Sequence, residues 1–391
     1  MKTSMKISVL CLLMILSVSS FAVTEYVIAN ENNSLHKPGD DNSLIVYSLD
    51  TATGSLTEVA RLATGGAGLS VAQGLPVNFA YMEQAVSPHA DCIFALNAGT
   101  SDIASFSKTT HYSRVGNYSN VALDSSADGG SLALTPNGEF LYASYSLTSN
   151  IGAWAVNPDC SLSLVGVFTA SDNEGLIGTM KVTPNGEALI APVASGLGEV
   201  GMFTIDSTSG VLAYVGAISF PDCGNTCSSW GALDITKDSS VVILPNTLSD
   251  DQGSLPVAYA ANITPAGLVR PRIWSLKNSQ AANGNNVAFF STDGYDGSGS
   301  LFFGMANGVV TANFTEKPVK ITPTNATLIQ ATLQGNGATA VLGNLMIIAE
   351  IPNQIGVFSI NSDGSLSELS TAIIPQSNAG MFSLSVFPNS R

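Results

Sequence analysis

Three charged side chains stand inside otherwise apolar, alternating stretches of this 391-residue chain: Glu83, Lys181 and Asp234. An ammonium in such a place can hold a carboxylate or polarise a carbonyl oxygen, and a carboxylate near it can take and return a proton. The same side chains can instead neutralise one another as an ion pair between neighbouring sheets. Histidine, the usual proton shuttle, is scarce: His36 lies in the polar stretch 31–42, and His89 and His111 lie in turn-like stretches. Asp172, Glu174 and Asp222, with Trp230 nearby, offer oxygen atoms that a structural calcium ion would accept. Asp293-Gly-Tyr-Asp-Gly-Ser-Gly299 spaces its carboxylates three apart and reads as a solvated turn. No P-loop, GxSxG, HExxH or complete dinucleotide motif occurs. No cofactor is therefore expected beyond that calcium, and no catalytic set is fixed by motif.

Composition and address narrow the field. The formal charge of −15 argues against a nucleic-acid partner, which needs a basic footprint. With 45% apolar and 11% charged residues, and 37 Gly beside 17 Pro, the chain suits a turn-rich, well-packed fold. Residues 1–22 read as a secretory leader: Lys2 and Lys6, an apolar run from Ile7 to Leu16, then Ser20-Phe21-Ala22. That run is too short to span a bilayer, and no later segment is long and apolar enough. Residues 23–391 form the exported domain, placed in the periplasm or outside the cell. Cys11 leaves with the leader, so Cys92, Cys160, Cys223 and Cys227 remain, an even set that favours disulfides in such a compartment. Cys223-Gly-Asn-Thr-Cys227 lacks the second ligand pair of a zinc site. Five Asn-x-Ser/Thr sites, at Asn32, Asn117, Asn262, Asn313 and Asn325, would be surface positions in a eukaryotic host.

The elements that must position these residues repeat. Ser131-Leu-Ala-Leu-Thr-Pro-Asn-Gly-Glu139 and Thr179-Met-Lys-Val-Thr-Pro-Asn-Gly-Glu187 each read as an alternating strand ending in a turn. A second apolar strand follows each, Phe140-Leu-Tyr-Ala and Ala188-Leu-Ile-Ala. Downstream comes another turn: Asp50-Thr-Ala-Thr-Gly-Ser-Leu56, Asp206-Ser-Thr-Ser-Gly-Val-Leu212, Asn361-Ser-Asp-Gly-Ser-Leu366, and Asn157-Pro-Asp-Cys-Ser-Leu162 with Cys160 in the glycine's place. The Asx side chain binds nearby backbone and Gly accepts positive φ, so each unit is a run of antiparallel hairpins, strands a to d. Third strands fall near Leu44–Leu49, Asp102–Ser107, Ile151–Val156, Glu199–Ile205, Pro256–Ala261, Val309–Phe314 and Ile355–Ile360. A period of roughly 50 residues with four strands per unit predicts an all-β, seven-bladed β-propeller. Met381–Asn389 reads as a first strand and Glu25–Asn30 as a second, so the two termini complete one blade and close the ring.

Tyr26-Val-Ile-Ala-Asn30, Ile45-Val-Tyr-Ser-Leu-Asp-Thr-Ala-Thr-Gly-Ser-Leu56 and Thr135-Pro-Asn-Gly-Glu-Phe-Leu-Tyr142 resemble blades of the lactonase-like propellers. These include 6-phosphogluconolactonases, carboxymuconate-cyclase-like proteins and Tyr-Val-Thr-Asn repeat proteins. The resemblance covers nearly the whole exported chain and rests on turn and core residues. It implies a monomer acting on, or binding, a sugar lactone or cyclic acid at the mouth of a central channel. A non-catalytic propeller that binds a glycan, peptide or envelope partner is the alternative. In the family the b–c and d–a loops share the ligand rim, which places His36, Asp172, Glu174, Asp222 and Trp230 there, and His89 and His111 on the other. The same geography implies the pairs Cys92–Cys160 and Cys223–Cys227. The family's His-, Arg- and Glu-bearing pocket motifs have no match here. Repeat alignment sets Lys181 and Asp234 at equivalent places in consecutive blades, where others have Ala85, Ala133 or Ser385.

Overall fold

The computed structural model describes residues 24–31, 42–68, 84–86, 91–97, 99–119, 130–145, 150–169, 176–177, 179–194, 199–220, 233–250, 253–276, 284–290, 298–305, 308–328, 336–350, 354–373 and 384–388. Alternating side chains make every stretch of strand two-faced in its apolar content, and such strands are stable only when both faces of a sheet are covered. The chain meets this with seven antiparallel sheets. Blade 1 opens with β1 (Thr24–Asn30), β2 (Ser43–Asp50) and β3 (Leu56–Ala63). Blade 2 is β4 (Gln84–Val86), β5 (Cys92–Asn97), β6 (Asp102–Ser107) and β7 (Ser113–Ser119). Blade 3 is β8 (Gly130–Leu134), β9 (Phe140–Tyr145), β10 (Asn150–Val156) and β11 (Leu162–Thr169). Blade 4 has an inner edge in two pieces, β12 (Leu176–Ile177) and β13 (Lys181–Val182), then β14 (Ala188–Ala194), β15 (Glu199–Ile205) and β16 (Leu212–Ser219). Blade 5 is β17 (Asp234–Ile235), β18 (Val241–Asp250), β19 (Gly253–Thr264) and β20 (Gly267–Ser275). Blade 6 is β21 (Gly284–Phe290), β22 (Ser298–Met305), β23 (Gly308–Glu316) and β24 (Val319–Leu328). Blade 7 is β25 (Asn336–Leu342), β26 (Leu345–Glu350), β27 (Gln354–Ile360) and β28 (Leu366–Ile373), and β29 (Leu384–Pro388) returns to blade 1. All seven expected third strands fall within β2, β6, β10, β15, β19, β23 and β27.

The core is divided among the blade interfaces. Val27 and Ala29 of β1 pack with Leu345 and Ile347 of blade 7, while Ile28, between them in sequence, packs with Ile93 and Ala95 of blade 2. The remaining buried clusters join blades 2 and 3, 3 and 4, 4 and 5, 5 and 6, and 6 and 7. A cluster between blades 7 and 1 is what makes the row of sheets a ring. Backbone pairing agrees: β29 lies against β1 with Val386 opposite Val27, so the C-terminal strand completes the N-terminal blade.

Every blade also has a register shift between its third and fourth strands, as at Ser105/Phe106 and Met202/Phe203. A bulge there steepens the twist that fans the sheets about an axis. Within the turns, Gly138 and Gly186 both take φ of +76°, after Pro-Asn, with Asn137 Oδ1 accepting the N–H of Glu139 at 3.1 Å. Cys160 adopts φ of +67° in the place where Gly210 takes +71° in blade 4. Its sulfur is bonded to Cys92, with Cα atoms 5.5 Å apart, so the expected bridge between blades 2 and 3 is present.

Candidate functional site

The innermost strands β29, β4, β8, β13, β17, β21 and β25 form the inner edges of the blades, one after another around the ring. Register confirms the repeat alignment for the charged pair. Lys181 stands opposite Ile190 and Asp234 opposite Ile243, as Ala85 stands opposite Phe94, Ala133 opposite Tyr142 and Ser385 opposite Ile28. Lys181 Nζ donates to Asp234 Oδ1, so the two make an ion pair between blades 4 and 5. Asp234 Oδ1 also accepts the N–H of Ile235 at 2.9 Å. The lysine side chain remains 47% exposed and the aspartate only 13%. One partner is thus fixed at the inner edge, and the other carries its charge toward solvent.

The inner strands that hold this pair are unlike the others. Thr179–Thr183 reads in sequence as one alternating strand, but only Lys181 and Val182 pair with β14 there, and the edge resumes at Leu176–Ile177 opposite Val193–Ala194. Between these two stretches the pairing shifts by one residue, since Ile177 stands opposite Val193 and Lys181 opposite Ile190, so the edge is irregular there. Pro192 has no N–H to give the ladder. Pro245 follows Ile243 as Pro192 follows Ile190, and β17 is likewise only two residues long. The N–H of Met180, released from the sheet, donates instead to Ser131 Oγ of blade 3 at 2.8 Å. Proline within a strand was the signal that sequence reasoning passed over.

Of the other expected site residues, Glu83, His36, Asp172, Glu174, Asp222, Trp230, Cys223 and Cys227 lie outside the described residues, as do His89, the leader, and Asp293 with its turn through Gly297. His111 is described, in the turn between β6 and β7 with φ of +55°, exposed, where the family geography sets it. Among the described residues no group of three or more His, Cys, Asp or Glu side chains could hold a metal ion. No helix among them is long and apolar enough to cross a membrane.

Two polar assemblies join residues too distant in sequence to be paired by inspection. In blades 1 and 2, Asn42 donates to Asn97 Oδ1 at 3.0 Å, and Asn97 and Asn117 each donate to Asp102 Oδ1 at 2.7 Å. Beside them buried Glu31 accepts from Arg61 at 2.7 Å and from Ser43. Burial, helped by the carboxylate of Glu58, pushes the nearby Tyr47 hydroxyl up to about 12. In blades 5 and 6, Ser240 joins two carboxyls: its N–H donates to Asp238 at 3.1 Å and its hydroxyl to buried Glu316 at 2.6 Å. Burial works to raise the Asp238 carboxyl, but the hydroxyls of Ser240 and Thr236 hold it below the usual range. Both assemblies have their partners supplied within the protein and tie blades together.

A 6-phosphogluconolactonase candidate from Bacteroides fragilis superposes with a TM-score of 0.69 at 14% identity, over 94% of this chain and 99% of its own. A periplasmic gluconolactonase from Pseudomonas aeruginosa gives 0.63 at 16%, over 94% and 100%. The fold is that of the lactonase-like propellers. No family model and no curated sequence matches the chain. At such identities the likeness extends to architecture, and a shared architecture hosts many activities.

Proposed function

We propose that this chain is an exported lactonase-like propeller that takes a sugar lactone or cyclic acid at the mouth of its channel, where the Lys181–Asp234 pair meets it. The observation that carries the reading is the half-exposed Lys181 ammonium, fixed by Asp234 where two successive inner strands are cut short. An ammonium has three N–H donors, so with one engaged by Asp234 it can still donate to a carbonyl or carboxylate oxygen. In hydrolysis a water oxygen adds to the lactone carbon and the ring C–O bond breaks. Asp234 accepts the water's proton, which returns to the departing ring oxygen. Export is supported by the leader pattern in 1–22 and by the Cys92–Cys160 bridge. A phosphorylated lactone suits the chain poorly, because its 14 lysines and arginines include Lys2 and Lys6 of the leader.

The test is a proton-release assay on purified residues 23–391 with D-glucono-1,5-lactone and its 6-phosphate. Turnover of the unphosphorylated lactone is expected to fall about a hundredfold in Lys181→Ala, with the melting temperature nearly unchanged. Absence of both turnover and ligand-induced thermal shift would overturn the reading. A second reading, binding without catalysis, is favoured by the neutralisation of Lys181 within the protein. It expects a thermal shift with lactone or acid and no turnover.

A further inference from the structure

The rim formed by the a–b and c–d turns carries two equivalent grooves, one blade apart. Between blades 3 and 4 a cavity of about 150 Å³ is lined by buried Phe140 and Ile205 together with Asn137, Asn185 and Ser207. Between blades 4 and 5 one of about 160 Å³ is lined by Ala188, Met202 and Ile263 together with Asn185, Thr204 and Glu187. Asn185 belongs to both, so the grooves are neighbours that share a wall. Each has a mixed apolar and polar lining, which suits a side chain with an aliphatic stem and a polar head.

Charge selects among such side chains. The turns of blades 3 and 4 carry Glu139, Asp159, Glu187 and Asp206, all exposed, with no Lys, Arg or His in residues 135–139, 157–160, 183–187 and 206–210, while the blade 5 turn at 236–240 sets exposed Lys237 beside Asp238. The Ser161 hydroxyl lowers the Asp159 carboxyl and the N–H groups of Ser209 and Thr208 lower that of Asp206, so both stay ionised well into the acid range. Asn137 and Asn185 donate to Glu139 Oε2 and Glu187 Oε2 at 2.7 and 2.8 Å, which holds those carboxylates beside the turns. The outer strands of the same sector add an apolar flank. Of the eight exposed large apolar residues described, five, Leu164, Val167, Val211, Tyr214 and Val269, belong to blades 3 to 5, against Val59 in blade 1 and Leu369 and Ile373 in blade 7.

We propose that this turn rim, across blades 3 to 5, docks an extended basic peptide segment of a partner protein, with lysine or arginine stems lying in successive grooves and their heads against Glu187 and its neighbours. The surface is separate from the channel and stands whether or not the channel hydrolyses a lactone.

The test is fluorescence anisotropy of labelled nonalysine with residues 23–391, alongside labelled nonaglutamate and a neutral oligosaccharide. Nonalysine is expected to bind, and Glu139→Gln with Glu187→Gln to weaken it about tenfold, since glutamine keeps the bond from asparagine. Asp363→Asn with Glu368→Gln removes as much charge from blade 7 and is expected to change affinity less than about twofold. Thr204→Leu with Ser207→Leu fills the grooves without altering charge and is expected to weaken binding about fivefold, with melting curves confirming that each variant folds. Equal losses in the two charge-matched variants, no loss on groove filling, or preference for the oligosaccharide would each overturn the proposal.

Discussion

Blades 3 and 4 share a turn residue for residue, Thr135–Glu139 and Thr183–Glu187, and both have the bulge between their third and fourth strands. Their inner edges differ. The five residues of β8 pair continuously with β9, from Gly130 opposite Tyr145 to Leu134 opposite Leu141. In blade 4 the corresponding edge pairs in two pieces, Leu176–Ile177 and Lys181–Val182. The second strand explains it: Ser144 stands in blade 3 where Pro192 stands in blade 4, and proline withdraws a ladder donor. Their ties to neighbours differ as well. Blade 3 is held to blade 2 by a disulfide, blade 4 to blade 5 by a half-exposed ion pair. Turn chemistry thus repeats the scaffold, while the inner edges and the ties between blades differ from one blade to the next.

That contrast can be broken in several places, the largest effect first. Cys92 and Cys160 are 68 residues apart, and removing the bridge by Cys92→Ala with Cys160→Ala is expected to cost about 4 kcal/mol in denaturant unfolding. A midpoint unmoved by reductant would show that blade 3 needs no covalent tie. Ser144→Pro should reproduce the split edge in blade 3 at a cost of about 3 kcal/mol. The reverse change, Pro192→Ser, should leave the midpoint nearly unchanged and slow hydrogen exchange at Thr179 and Met180. Unchanged exchange would mean that the one-residue shift in pairing, and not the proline, splits the strand.

Smaller effects sharpen the same comparison. A Cβ on Gly210, at φ of +71°, would come within 2.3 Å of the Phe140 ring, so Gly210→Ala is expected to destabilise by about 2 kcal/mol. A double-mutant cycle on Lys181→Ala and Asp234→Ala should return less than about 1 kcal/mol of coupling, because the lysine is well solvated. Asp159 and Asp206 both titrate below their ordinary value in the fold. Their contribution is present above the unfolded carboxyl range, about pH 4, and is lost as pH falls through the lower folded values. Acid unfolding should therefore begin below that range and shift upward in Asp159→Asn and Asp206→Asn alike, a common response from the shared turns.

The legible parts of the sequence were those governed by local spacing. Turn residues gave the blade count, and alternation gave the third strands and the alignment of Lys181 with Asp234. The bridge from Cys92 to Cys160 followed from the loop geography of the resembling family. The split edge went unseen because alternation in Thr179-Met-Lys-Val-Thr183 survives in a strand whose neighbour lacks a donor. Ser240 meeting Glu316, and Asn97 meeting Asn42, join separate blades, and no periodicity encodes such contacts.

Latching of β29 onto β1 has a consequence for biogenesis. The first blade to leave the ribosome is the last to be finished, since its inner strand is made at the far end of the chain. Until then β1 presents a bare edge, a template for foreign strands.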